Sequence, residues 1–192
     1  MFTAYSHLLM PHSLRYFLLT LFLAASAKAH QVPNMTIEAD FDSQGHFEMK
    51  VNVDPRVILS DQPTSLPPVV AAWYLEQTPE QVKATFEKAA AYLSANLKLQ
   101  FGSVVLPLPE VTWQAMDGTT NLPLTAETTE VHLLATIKSA VPIGQGTFAL
   151  GFGQAAQVSL ILLLKNPSLT EPKVMVLFPG ETSRPFSVTT SK

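Results

Sequence analysis

Residues 68–101, PVVAAWYLEQTPEQVKATFEKAAAYLSANLKLQF, hold the one well-punctuated helix of this chain. Thr78 suits an N-cap and Pro79 the first helical position. Gln81 completes a capping box, in which each side chain accepts from the other residue's backbone N–H. Val82, Phe86, Ala89, Ala90, Leu93 and Leu97 recur at three- and four-residue spacing and make one apolar stripe, with Glu80, Lys83, Glu87 and Lys88 largely off it. The pattern predicts a helix over about 79–95, stopped by Asn96. It places Phe86 mid-stripe, in the core, and makes Trp73 and Tyr74 the aromatic anchor that packs the helix on a sheet.

Outward from this helix the period changes from 3.6 to 2. Upstream, Met35, Ile37, Ala39 and Phe41 alternate with Thr36, Glu38 and Asp40, and Ser43-Gln44-Gly45 turns the chain. Phe47, Met49, Val51 and Val53 then resume the alternation. Matching the inward faces of this hairpin sets Phe41 against Phe47 and Met35 against Val53. Residues 54–69 read as a loop. Downstream, Leu97–Phe101 and Val104–Leu108 form strands about a Gly102-Ser103 turn, and Trp113 lies on a strand ending at Asp117-Gly118. Residues 119–128 read as a polar loop. Val131–Ile137 alternates again, and 147–164 reads as strand, turn, strand, because Gly151, Gly153, Gln154 and Gln157 interrupt its apolar run. Val158–Leu164 is nearly all apolar, the mark of a strand buried on both faces. Val174–Phe178 and Phe186–Thr189 close the chain around Pro179-Gly180. Eight or nine short strands with frequent turns predict a mainly β protein: an Ig-like antiparallel β-sandwich with one packed α-helix.

Composition bounds the chemistry. The chain has 192 residues, 15 prolines, 14% charged residues and no cysteine. Thiolate metal sites, structural disulfides and cysteine nucleophiles are therefore excluded. Residues 1–29 read as a signal peptide. His12 and Arg15 precede the apolar run 16–26, and Ala27-Lys28-Ala29 is an A-x-A cleavage site. The competing reading is an uncleaved membrane anchor, although the run is shorter than the roughly 20 apolar residues a span needs. Cleavage after Ala29 leaves residues 30–192 as a single β-sandwich domain, periplasmic or secreted. Arg15 and Lys28 account for +2 of a net charge of −3, so residues 30–192 carry −5. That balance argues against a nucleic-acid partner.

Cleavage at that point makes His30 the first mature residue. An α-amine and an imidazole on one residue can chelate Cu(II), and a second histidine can complete a tetragonal site. The candidate partners are His46 and His132. The hairpin carries His46 to the far end, roughly 33 Å of extended chain from His30, and brings Arg56 near His30, where a cation disfavours a metal. His132 is out of phase with the buried face of its strand. The other patterns carry less. Gly144-x-Gly146 and Gly151-x-Gly153 lack the following helix that a phosphate loop needs. Glu181 and Arg184 read as a surface ion pair. Asn34-Met35-Thr36 is a glycosylation acceptor by pattern alone. No G-x-S-x-G elbow, H-E-x-x-H or EF-hand spacing occurs, so no catalytic residues are assigned and the reading is non-enzymatic.

Ala29-His30 at the cleavage point, Trp73 before a helix, Ala91-Tyr92-Leu93 ahead of Leu97-Lys98-Leu99, and the late run Pro179-Gly180-Glu181-Thr182-Ser183 stand together in this chain. In these features it resembles the exported domain that precedes the membrane helices in some bacterial HupE/UreJ-type proteins. That family's membrane part is linked to nickel or cobalt uptake and has no counterpart in this sequence. Its transport residues have no positions here to map onto. What the resemblance implies is an accessory role: an exported binding module with a protein partner, such as a membrane transporter. The alternative is a periplasmic copper-binding protein that uses His30 and His132.

Overall fold

The computed structural model describes residues 33–188. The 1–29 segment and His30 lie outside the described residues. Within them the protein is mainly β, with two sheets that face each other across an aromatic core.

The opening hairpin forms as its alternation requires. Strand β1 (Asn34–Phe41) pairs antiparallel with β2 (His46–Val53), with Phe41 opposite Phe47 and Ile37 opposite Val51. The turn between them is held by Asp42, whose Oδ1 accepts from the N–H groups of Gln44 and His46, both at 2.8 Å. Gly45 takes φ +83 there, a conformation that disfavours any side chain. Residues 54–69, expected as a loop, contain a helical turn α1 (Arg56–Leu59) and a 3-10 turn at Pro63–Ser65. A further short helix, α2 (Ala71–Leu75), carries Trp73 and Tyr74. The main helix α3 (Pro79–Asn96) begins with the expected capping box: the Gln81 N–H donates to Thr78 Oγ1 (3.3 Å), and the Thr78 N–H to Gln81 Oε1 (2.7 Å). It ends at Asn96, whose Nδ2 donates back to the Tyr92 carbonyl at 3.0 Å. That bond folds the Asn96 side chain back along the last turn of the helix.

The chain then runs directly into β3 (Leu97–Phe101), followed by β4 (Val104–Leu106), β5 (Val111–Asp117), β6 (Val131–Ala140), β7 (Thr147–Phe152), β8 (Ser159–Lys165), β9 (Lys173–Leu177) and β10 (Phe186–Ser187). The six-stranded sheet has the order β5-β6-β2-β1-β8-β9, and the four-stranded sheet β10-β7-β3-β4. Pairing is antiparallel except between β1 and β8, which run parallel with Ile37 beside Leu162. That one parallel ladder departs from the expected all-antiparallel arrangement.

Inward side chains of the two sheets interdigitate. Phe41 lies 5.2 Å, centroid to centroid, from Phe148, 6.3 Å from Phe101 and 5.8 Å from Phe186, and Phe47 lies 5.4 Å from Phe101. Ring spacings of this kind add attraction beyond the area they bury. Strand β8 corrects the two-face reading: Leu160, Leu162 and Leu164 are fully buried, but Ile161 and Leu163 are only half-buried on the outer face. The parallel pair belongs to a sheet that is otherwise antiparallel, and its outer surface is not sealed by a second layer.

The helix stripe is also corrected. Ala89 and Leu93 are fully buried, whereas Val82, Phe86 and Ala90 are half-buried. The first half of α3 rests on the edge strand β5 rather than over the centre of the sandwich. There Phe86 stacks on Trp113 with centroids 5.7 Å apart and planes 11° from parallel, and Tyr74 lies 6.2 Å from Phe86. The aromatic anchor is real, but it ties the helix to the rim. The second half turns inward at Asn96, whose carbonyl accepts from the Gly153 N–H at 2.7 Å. A Cβ on Gly153 would meet Asn96 Oδ1 at 2.6 Å, so glycine is what lets β7 leave so close to the helix end.

Candidate functional site

Polar chemistry inside the protein collects where β2 ends. Val53 is the last inward residue of that strand, and Asp54 follows, only 2% exposed. Pro55 starts α1 immediately after it, and Arg56 folds back on Asp54. The Arg56 Nε donates to Asp54 Oδ1 (3.0 Å) and Oδ2 (2.8 Å), its Nη2 donates to Oδ2 (2.5 Å), and its Nη1 donates to the Leu66 carbonyl (3.3 Å). The same guanidinium stands 3.7 Å from Glu130 Oε1, which is brought in by the start of β6. Arg56 is 2% and Glu130 6% exposed. A planar fork on a carboxylate is the geometry that best offsets the cost of drying both charges.

His132 belongs to this cluster. Asn52 donates through Nδ2 to Asn121 Oδ1 (3.4 Å), which leaves its Oδ1 to accept from the His132 Nδ1–H at 2.5 Å. The His132 Nε2 stands 3.4 Å from Glu130 Oε1, an ion pair when the ring is protonated. The ring lies over Gly118, where a Cβ would be 2.5 Å from its Cδ2. His132 faces outward on β6, as its phase requires, yet its side chain is only 13% exposed. The 118–128 loop closes over it.

Asp54, Glu130 and His132 offer ligand atoms within 4.8 Å of one another, close enough to share an ion. The chemistry of the set argues against one. Arg56 already places a permanent cation on both Asp54 oxygens and against Glu130, and a metal there would have to displace it. Both His132 nitrogens face protein atoms. The arrangement suits a charge cluster that fastens the end of β2, α1 and the start of β6. Sequence reasoning named Arg56 and His132 but missed Asp54, Glu130 and Asn52. The available signal was a carboxylate where the apolar alternation of β2 stops, followed within two residues by arginine.

His46, the other histidine weighed for copper, sits at the opposite end of β2. Its Nδ1 is 3.3 Å from Asp42 Oδ2 and its side chain 60% exposed, and five residues lie between it and Asn52. It borders an open cleft of ≈ 910 Å³ lined in part by Asp40, Glu48, Lys138 and Lys165. Lys138 donates to Glu48 at 3.0 Å and holds that carboxyl below the usual carboxylate range. The backbone N–H of His46 does the same for Asp42. Near the C-terminal end, Glu181 does not pair with Arg184 as expected. Its Oε2 accepts from the Phe178 N–H at 2.8 Å.

A second surface is apolar. The half-buried stripe of α3 and Trp113 border a groove of ≈ 370 Å³, lined by Pro79, Val82, Phe86 and Ala90 and rimmed by Lys83 and Glu87, an ion pair at 3.7 Å. No protein-family model matches the chain, and a search of characterised proteins finds no match.

Proposed function

We propose that the protein is an exported, non-enzymatic accessory module that binds a partner protein, in keeping with its resemblance to the exported domain of HupE/UreJ-type transport proteins. The observation that carries this reading is the groove between α3 and β5. A helix stripe patterned for burial is left half open at Val82, Phe86 and Ala90 beside Trp113. Apolar surface of this kind, rimmed by a charged pair, fits an apolar segment of a partner chain better than a small polar substrate. The polar cluster is in keeping with it, because Asp54 and Glu130 are already engaged by the Arg56 guanidinium. The copper alternative rests on His30 with His132. It loses from the engagement of both ring nitrogens.

The test is a photo-reactive residue at Val82 in the native cell. One discrete adduct to a membrane protein, lost on Phe86→Lys, is expected. An exported chain with no adduct, or an adduct indifferent to Phe86→Lys, would sink the reading.

A further inference from the structure

We propose that the outer edge of β9 pairs antiparallel with the β9 of a second copy of this chain, about a two-fold axis at Met175. Strand β9 ends the six-stranded sheet, and among the described residues no strand pairs with its other side. A free edge offers a row of unpaired N–H and C=O groups, which proteins usually blunt with charge, proline or a bulge. The other edges are protected: β4 and β10 have three and two residues, and β5 presents Thr112 and Gln114 outward and lies against Phe86. Lys173 and the flanking Pro172 and Pro179 guard the ends of β9, but Val174-Met175-Val176 between them carries no charge, proline or bulge. Its outward side chains Val174 and Val176 are 58% and 53% exposed, and they continue the half-buried Leu163 and Ile161 of β8, their cross-strand neighbours.

The occupant follows from the sequence of the edge. Val174-Met175-Val176 reads the same in both directions. Antiparallel self-pairing at Met175 therefore sets Val174 opposite the second copy's Val176, twice, by the isologous rule of a two-fold interface. Pairs of β-branched residues directly opposite one another are favourable. They would join two exposed apolar strips, each flanked by its own Leu163 and Ile161, into one. Charge fits as well. Lys173 begins the strand, and the Glu181 carboxylate sits at its other end on the Phe178 N–H. Antiparallel pairing brings each lysine toward the other copy's carboxylate. The edge is distinct from the α3–β5 groove, so this inference stands apart from the proposed function.

The absence of cysteine makes the test direct. Val174→Cys and Val176→Cys are made singly in the full chain, and both side chains are exposed in a single copy. In the proposed register, residue 174 faces residue 176 of the other copy with Cα atoms about 5 Å apart, within disulfide reach. Like positions lie about 7–8 Å apart on the diagonal. On mild oxidation with diamide, the two variants mixed should give at least tenfold more disulfide dimer than either alone. Val176→Lys should convert dimer to monomer in sedimentation. Equal dimer in mixed and separate samples would mean chance collision and overturn the proposal. So would no dimer with both thiols open to maleimide. Thiols shielded from maleimide in a monomer would overturn it too, since a segment of the same chain would then cover the edge.

Discussion

At one end of β2, Asp42, His46, Glu48 and Lys138 stand in solvent. At the other, Asp54, Arg56, Glu130 and His132 are enclosed by the 118–128 loop and α1. The residue types are nearly the same, a histidine with carboxylates and one base. The environments differ: side-chain exposure is 60% and 51% in the His46–Asp42 pair, but 2% and 3% in the Arg56–Asp54 pair. Water screens the first set, so each pair there contributes little to stability. In the second set, drying has already taken each charge out of water. The net gain from the pairing is small, yet removing one member leaves another buried and unpaired. Similar chemistry is thus dispensable at one end of a strand and binding at the other.

The hardest test of this contrast is Arg56→Ala, which strands two buried carboxylates. It should destabilise the fold by about 3–5 kcal/mol in a urea melt. A loss below about 1 kcal/mol would mean that water reaches the cluster, and the contrast would collapse. A smaller effect is expected for His132→Ala, which deprives the Asn52 Oδ1 of its donor. About 1–3 kcal/mol should be lost. By calorimetry on the protein cleaved after Ala29, whose free His30 amine the copper reading needs, Cu(II) affinity should not change. A hundredfold fall in that affinity would instead favour the pairing of His30 with His132.

The smallest effect belongs to the exposed end. Lys138→Ala should cost less than about 1 kcal/mol, and the difference should shrink in 1 M salt, where charges a few ångströms apart are screened. Its pH dependence has a definite sign. Glu48 titrates below its unfolded value because the Lys138 ammonium donates to it. Its contribution is present above about pH 4.3, the ordinary glutamate value, and is lost as pH falls through the lower folded value. Glu48 is 37% exposed, so screening holds this to a few tenths of a kcal/mol at about the scale of surface pairs. Acid melts of the wild type and Lys138→Ala should converge below that pH. A gap that persists there would assign the effect to packing of the lysine stem.

Much of the architecture was open to local reading because it rests on local physics. The capping box at Thr78 and Gln81 needs four consecutive residues. The hairpin register of Phe41 with Phe47 needs only a period of two and one turn. The buried cluster was less legible. Asp54 and Arg56 are neighbours in sequence, but Glu130 and His132 join them from more than seventy residues away, and no spacing rule connects the two stretches. Phe86 was misread for a related reason: an apolar stripe says which face of a helix is greasy, not how far the sheet beneath it extends.

Strand and helix positions, turns and the mainly β class therefore follow from periodicity and punctuation along the chain. The neighbours of each element do not. Packing chose a parallel partner for β1 from residues more than a hundred positions away, left half of α3 on the rim, and gathered four polar side chains into one dry cluster. The physical reason is range. Propensity and capping act within a few residues, whereas burial is settled only when distant surfaces compete for the same limited core.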